Sequence, residues 1–199
     1  MEKATFAVGR WITKALFPGG RPINLLIGRL ICALELGVMS DSITVRNAAP
    51  SEIRAIAQIW YDAWRDAHAK ILPAELARIR TLESFQVRLD ELLDIVRVTG
   101  DTGRPLGFCI VKDGELYQLF VAAEARGTGV ASALLSDGEK RLVDSGVKIG
   151  WLACAVGNDR AARFYEKSGW YNAGTVNHSI ETPEGAVDFD VWRYEKVLF

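Results

Sequence analysis

A chain of 199 residues with 24 basic and 25 acidic side chains carries a net charge of −1, and 49% of it is apolar. That is enough for one globular domain with a sizeable core, and the near-neutral balance offers no basic groove for nucleic acid. Three scattered cysteines (Cys32, Cys109, Cys154) and two distant histidines (His68, His178) form neither a disulfide framework nor a zinc pattern, so no metal is expected and a reducing cytoplasm is the expected compartment.

The first 38 residues read differently from the rest, with five basic residues against two acidic. Their apolar run "INLLIGRLICALELGV" (23–38) spans 16 residues and contains Arg29 and Glu35. A membrane span needs about 20 apolar residues, so none is expected. Arg29 also interrupts the run as a signal-peptide core. An amphipathic surface helix is one reading. The plainer one takes Met39 as the native start, residues 1–38 as an extension outside the fold, and 39–199 as the domain.

"SITVRNA" (42–48) alternates apolar and polar residues, as a half-buried strand does. In "PSEIRAIAQIWYDAW" (50–64), Ile53, Ile56, Ala57 and Trp60 fall on one helical face. "RDAHAKILP" then leads to a charged helical stretch from Ala74 to Leu93, and "DIVRVTG" (94–100) reads as a strand. "GRPLGFCIVKDGELYQLFV" (103–121) holds two β runs around Asp113-Gly114, a strong hairpin signal. An amphipathic helix follows from Gly129 to Ser145, closed by Gly146.

"KIGWLACAV" (148–156) is nearly continuous apolar, as a strand covered on both faces is. "NDRAARFYEKSGW" (158–170) is a short helix, capped by Asn158 or Asp159 and ended by Gly169. "TVNHSIETPEGAVDFDVWRYEKVL" (175–198) is a last hairpin around Thr182–Gly185. The order is β-α-α-β-β-β-α-β-α-β-β. One parallel crossover, over the 129–145 helix, joins antiparallel hairpins. The expected class is a mixed α/β (α+β) domain.

"ARGTGVASALL" (125–135) places an arginine and two glycines where a helix begins. A helix N-terminus carries unpaired N–H groups and partial positive charge. Bare glycine backbone lets a phosphate reach those groups, and Arg126 adds a full charge. A turn that needs glycine only for positive φ explains the same letters. No Gly-Lys-Ser/Thr follows, so this is not a P-loop, and Ser132 stands where a dinucleotide fingerprint needs its third glycine.

Neighbouring segments narrow the choice. "RGTGVA" (126–131), "GNDRAARFYEKSGW" (157–170) and the preceding "GELYQLFV" together resemble the GNAT superfamily of acetyl-CoA-dependent N-acetyltransferases over residues 42–198. The resemblance implies a mostly antiparallel sheet flanked by helices and splayed between its two central strands. It implies acetyl-CoA as cosubstrate. The backbone of Leu119, Phe120 and Val121 would meet pantetheine, and the amides of Arg126, Gly127, Thr128, Gly129, Val130 and Ala131 the pyrophosphate. Asn158 would reach pantetheine and Phe164 would pack on the cofactor; a helix cap and a core aromatic are their plainer roles.

Tyr165 matches the family's general acid. A tyrosine of pKa ~10 keeps its proton at neutral pH, while a leaving thiolate resembles the conjugate base of a thiol of pKa ~8.5. Glu115 is the candidate base by position; otherwise it is a residue beside a hairpin turn. His68, Trp64 and Tyr61 would wall the acceptor pocket. Cys154 reads as inert core and His178 as a surface residue. The implied reaction is direct acetyl transfer to a primary amine, small-molecule or peptide, with homodimers among the family's assemblies. A non-catalytic acyl-CoA-binding domain is the alternative.

Overall fold

In the computed structural model, residues 43–182 and 185–199 are described. The expected extension, residues 1–38, lies outside them. Seven strands form one sheet in the order β1-β2-β3-β4-β5-β7-β6. They are β1 (Val45–Asn47), β2 (Val96–Thr99), β3 (Gly107–Lys112), β4 (Glu115–Val121), β5 (Ile149–Ala155), β6 (Tyr171–Thr182) and β7 (Gly185–Val197). Helices α1 (Ile53–His68), α2 (Ala74–Ile79) and α3 (Leu82–Leu92) come between β1 and β2. Helix α4 (Val130–Asp144) crosses from β4 to β5, and α5 (Asp159–Lys167) links β5 to β6. Every strand pair is antiparallel except β4 with β5. The mixed, mostly antiparallel sheet flanked by helices is the architecture expected.

Two cores lie on opposite faces, and the period-2 alternation of β3 assigns residues to each. Phe108 and Ile110 join Ile56, Trp60, Phe85 and Leu89 under α1 and α3. Cys109, between them, points to the other face, with Leu134, Leu142, Leu152 and Tyr194. Helix α4 comes very close to the sheet there. A β-carbon at Gly138 would sit 2.7 Å from Leu116 Cδ1 and 3.2 Å from Cys109 Sγ, so any larger residue would have to push these side chains aside. Among the described residues, no helix is long and apolar enough to cross a membrane.

The elements differ from the sequence expectation in several places: β1 is shorter than 42–48, and β6 begins at Tyr171 rather than Thr175. The stretch from Ala74 to Leu93 is broken into α2 and α3. Arg80 leaves helical geometry at ψ 65°, and Thr81 starts a new helix, its hydroxyl oxygen accepting from the Ser84 amide at 3.2 Å. A side chain that competes for backbone donors outweighs the continuing amphipathic pattern. The strand read over 94–100 starts later, at Val96, because Leu93–Ile95 form a 3₁₀ turn. The Asp113-Gly114 hairpin behaves as read, with φ of 51° and 79° at its two central residues.

One buried charge fixes the start of the domain. Glu52 is fully buried, and its carboxylate accepts from Arg46 at 2.7 and 2.8 Å and from the Ala49 and Gly103 amides at 2.9 Å each. The Arg46 bonds, opposed by burial and helped by the two amides, hold its pKa down to about 2. The carboxylate therefore stabilises the fold fully above its ordinary pKa of 4.5, and that contribution disappears as pH falls towards 2. Glu52→Gln is expected to lower unfolding stability by about 3 kcal/mol at pH 7. Urea midpoints of wild type and variant should converge as pH falls from 5 to 2, about the window that separates the two pKa values. A gap that stays constant would contradict this.

Candidate active site

The parallel pair β4/β5 is joined at one register position, Glu115 opposite Trp151. Beyond it the two strands part. The flanking ladders are long: β4 stays paired with β3 from Glu115 to Val121, and β5 with β7 from Ile149 to Ala155. Between Ile110 and Val111 the register skips Tyr117, a bulge in β4 itself and a device that bends strands. Backbone groups of β4 and β5 that face the gap therefore lack a partner strand. This is the splay expected between the central strands.

Two cavities open along the gap. The first, about 370 Å³, lies against Val121, Arg126, Gly127, Gly129, Ala131 and Phe164. The second, about 500 Å³, lies against Trp60, Trp64, His68, Glu115, Cys154 and Phe189. They share Leu119, Phe120, Asn158, Ala161 and Tyr165 as walls. A ligand in one cavity and a ligand in the other would meet there.

The glycine turn borders the first cavity. Gly127 has φ +79° and Gly129, which caps α4, has φ +93°. Both are conformations that glycine alone adopts without strain, so the turn reading of these glycines holds. The phosphate reading is not displaced. A β-carbon at Gly127 would meet nothing within 4 Å, and the amides of Val130, Ala131 and Ser132 occupy the first turn, where no helical acceptor exists. The Arg126 amide instead donates to Ala123 O at 3.3 Å, and the Thr128 hydroxyl donates to Ala125 O at 2.7 Å. These two groups brace the loop.

Asp66 on α1 holds two arginines at the mouth of this cavity, Arg126 at 3.0 Å and Arg160 at 2.7 Å. Those cations, Arg160 first, keep its carboxyl below the usual range. Sequence reading found Arg126 but neither Asp66 nor Arg160. Pairings across 60 and 94 residues leave no local pattern. Asn158 caps α5, its side chain accepting from the Ala161 amide at 3.3 Å, and also walls both cavities. Phe164 is partly buried and packs 5.4 Å from the Tyr165 ring.

Tyr165 is buried at the junction, and burial, reinforced by the Cys154 and Cys109 thiols, pushes its pKa upward. It keeps its proton at neutral pH. Glu115 is half-buried in the larger cavity, and burial raises its pKa to about 7 against the opposing charge of Arg193. Burial pushes the Cys154 thiol up to about 12, so it holds no thiolate near neutrality, in keeping with inert core. Burial also brings His68 down to about 4; its Nδ1–H donates to Trp64 O at 3.2 Å, and the ring stands edge-on to Phe120. Trp64 and His68 wall the larger cavity as expected. Tyr61 does not, since its hydroxyl accepts from Arg65. His178, expected at the surface, is exposed and also borders this cavity, against Phe189.

The family model described as the acetyltransferase (GNAT) family matches residues 53–170. The chain belongs to this family. The uncharacterized N-acetyltransferase YuaI of Bacillus subtilis (strain 168) is 26% identical over 115 residues, which cover 52% of this chain and 66% of that protein. The match thus spans slightly under two thirds of that relative. A GCN5-related N-acetyltransferase from Rhodopseudomonas palustris shares the fold at TM-score 0.62 and 20% identity, over 79% of this chain and 96% of its own. YncA from Salmonella typhimurium, solved with its cofactor acetyl-CoA, does so at TM-score 0.58 and 17% identity, over 79% and 95%.

Gly127 offers a test that separates conformation from space. Gly127→Ala adds a methyl group with open room around it but forces it into positive φ. Stability should fall by about 1 kcal/mol, measured by urea denaturation. An unchanged midpoint would show that the loop does not require this backbone.

Proposed function

We propose that the chain is an acetyl-CoA-dependent N-acetyltransferase that acts on a primary amine in a ternary complex. The observation that carries the reading is the meeting of two cavities at Leu119, Phe120 and Tyr165, one bordered by the glycine turn and the other by Glu115. The residues fit acetyl-CoA. The unpaired backbone of Leu119, Phe120 and Val121 takes pantetheine as an added strand. Gly127, Thr128, Gly129, Val130 and Ala131 hold the pyrophosphate at the start of α4, with Arg126 and Arg160 exchanging Asp66 for phosphate. Asn158 and Phe164 line the same channel. Residues 39–199 hold all of these parts.

Acetyl-CoA supplies an activated acetyl group; the new C–N bond forms as the C–S bond breaks. Tyr165 gives its proton to the departing sulfur and is reprotonated from solvent. Glu115 takes the proton that the amine must lose. It lies four residues before Leu119, about 13 Å along an extended strand, so the proton reaches it through water. Its raised pKa places its basic form just where an amine must be deprotonated near neutral pH.

Two variants test these roles. Tyr165→Phe keeps the ring and removes the acid, so turnover should fall about a hundredfold or more while acetyl-CoA affinity changes little. Lost affinity with unchanged turnover would make the hydroxyl a cofactor ligand only. The base works as a carboxylate, so wild-type turnover should rise with pH through about 7. Glu115→Gln should be slow and should lack that rise. A thiol-release assay over an amine panel reads both. Tight acetyl-CoA binding with no thiol release from any amine would make the chain a binding module.

A further inference from the structure

Arg80 and Arg88 both wall the 500 Å³ cavity. Arg80 ends α2, and Arg88 lies on α3. Neither borders the cavity at the glycine turn, whose cations are Arg126 and Arg160. The two arginine pairs therefore serve different spaces.

Three arginines packed into the fold elsewhere are matched with carboxylates, although Arg141 meets a backbone carbonyl instead. Arg46 meets Glu52, Arg97 meets Asp137, and Arg193 meets Glu195. Among the described residues, neither Arg80 nor Arg88 has an ion-pair partner. Arg88 is nevertheless held firmly. Its guanidinium sits 4.4 Å over the Trp60 ring and donates to the Tyr117 hydroxyl at 2.8 Å. Trp60 is itself locked against Phe85 and Phe108. Among the described residues, Glu115 is the carboxylate in this cavity wall, but the charges acting on it are Arg193, Asp113 and Lys112. It does not neutralise the pair.

Burial brings Arg80 down to about 10, and the like charge of Arg88 adds to that shift. Arg80 remains cationic at neutral pH. Two like charges half withdrawn from water are costly, and their natural complement is an anion accepting several N–H bonds at once.

We propose that Arg80 and Arg88 bind a carboxylate or phosphate on the acceptor, so that the acceptor class is small amines with a second, anionic end. The inference rests on the larger cavity being the acceptor site. Tyr117, the residue that the β3–β4 register skips, packs on the same face as Phe120, three residues or about 10 Å along the strand, and Phe120 walls both cavities. The anion is thus held a short molecule's length from the point where the cavities join. Stacking on Trp60 fixes the Arg88 fork beforehand, which limits the entropy lost on binding.

The test compares matched amines in the presence of CoA: β-alanine against β-alaninamide, 2-aminoethyl phosphate against ethanolamine, and a dipeptide against its C-terminal amide. Titration calorimetry reads binding, with Trp60 and Trp64 fluorescence as a second signal. At least one anionic member should bind tenfold or more tighter than its neutral partner, and the pair that responds identifies carboxylate or phosphate. Arg80→Gln and Arg88→Gln should each reduce that preference tenfold or more, and Arg88→Lys should keep part of it. Arg88→Gln also removes packing from Trp60, so Arg80→Gln with an unchanged melting temperature is the deciding variant. Equal binding within every pair, no binding by any member, or a preference that survives Arg80→Gln would overturn the proposal. Thiol release from acetyl-CoA in the same samples separates the two readings. Anion-dependent binding without acetyl transfer would remove the transferase reading alone; transfer to neutral amines alone would remove this one.

Discussion

The parting of β4 from β5 is the constraint on which the rest of the structure depends. A seven-stranded sheet gives up pairing at its own centre after one register position. Unpaired backbone groups inside a protein are costly, so the gap has to be maintained by something else. Each half is kept rigid by its own antiparallel ladder, β3 with β4 and β5 with β7. The two cores then clamp the halves from opposite faces. Gly138 lets α4 press directly onto Leu116 beside the opening. The fold thus holds an internal sheet edge ready for a ligand that can supply strand-like hydrogen bonds.

Charge divides the gap into two environments. At the turn, Arg126 and Arg160 are exposed enough to exchange partners, and Asp66 occupies them. A contact of that kind contributes little to stability, so it can be given up to a phosphate without loosening the fold. In the larger cavity the ionisable groups are more deeply set, and burial is the first cause of the shifts at His68, Glu115 and Cys154. The same desolvation keeps the Tyr165 proton in place and brings the Glu115 carboxyl up to about 7. One wall therefore holds a phenol that stays protonated and a carboxyl that titrates near neutrality, the two groups proposed as acid and base.

Much of the fold was legible in the chain because it is written locally. Asp113-Gly114 marks its hairpin, Asn158 its cap, and the apolar run before Val156 its central strand. The helix break at Thr81 was missed because the charged pattern continues across it while one hydroxyl decides the boundary. In the site, the glycine turn and the helix bearing Tyr165 were legible as short motifs. Asp66, Arg160, Arg80 and Arg88 were not. Each acquires its meaning from a neighbour, or from the lack of one, brought close only by the tertiary fold. Nor does the sequence alone state that Glu115 is half-buried, since a residue beside a turn normally faces water.

The central claim is that the gap between β4 and β5 receives acetyl-CoA. Hydrogen exchange of the full chain with and without acetyl-CoA tests it most directly. The account predicts slowed exchange in residues 119–121, 127–132 and the start of α5, with β1 and β2 unchanged. Protection confined to other segments, or none at saturating acetyl-CoA, would contradict it.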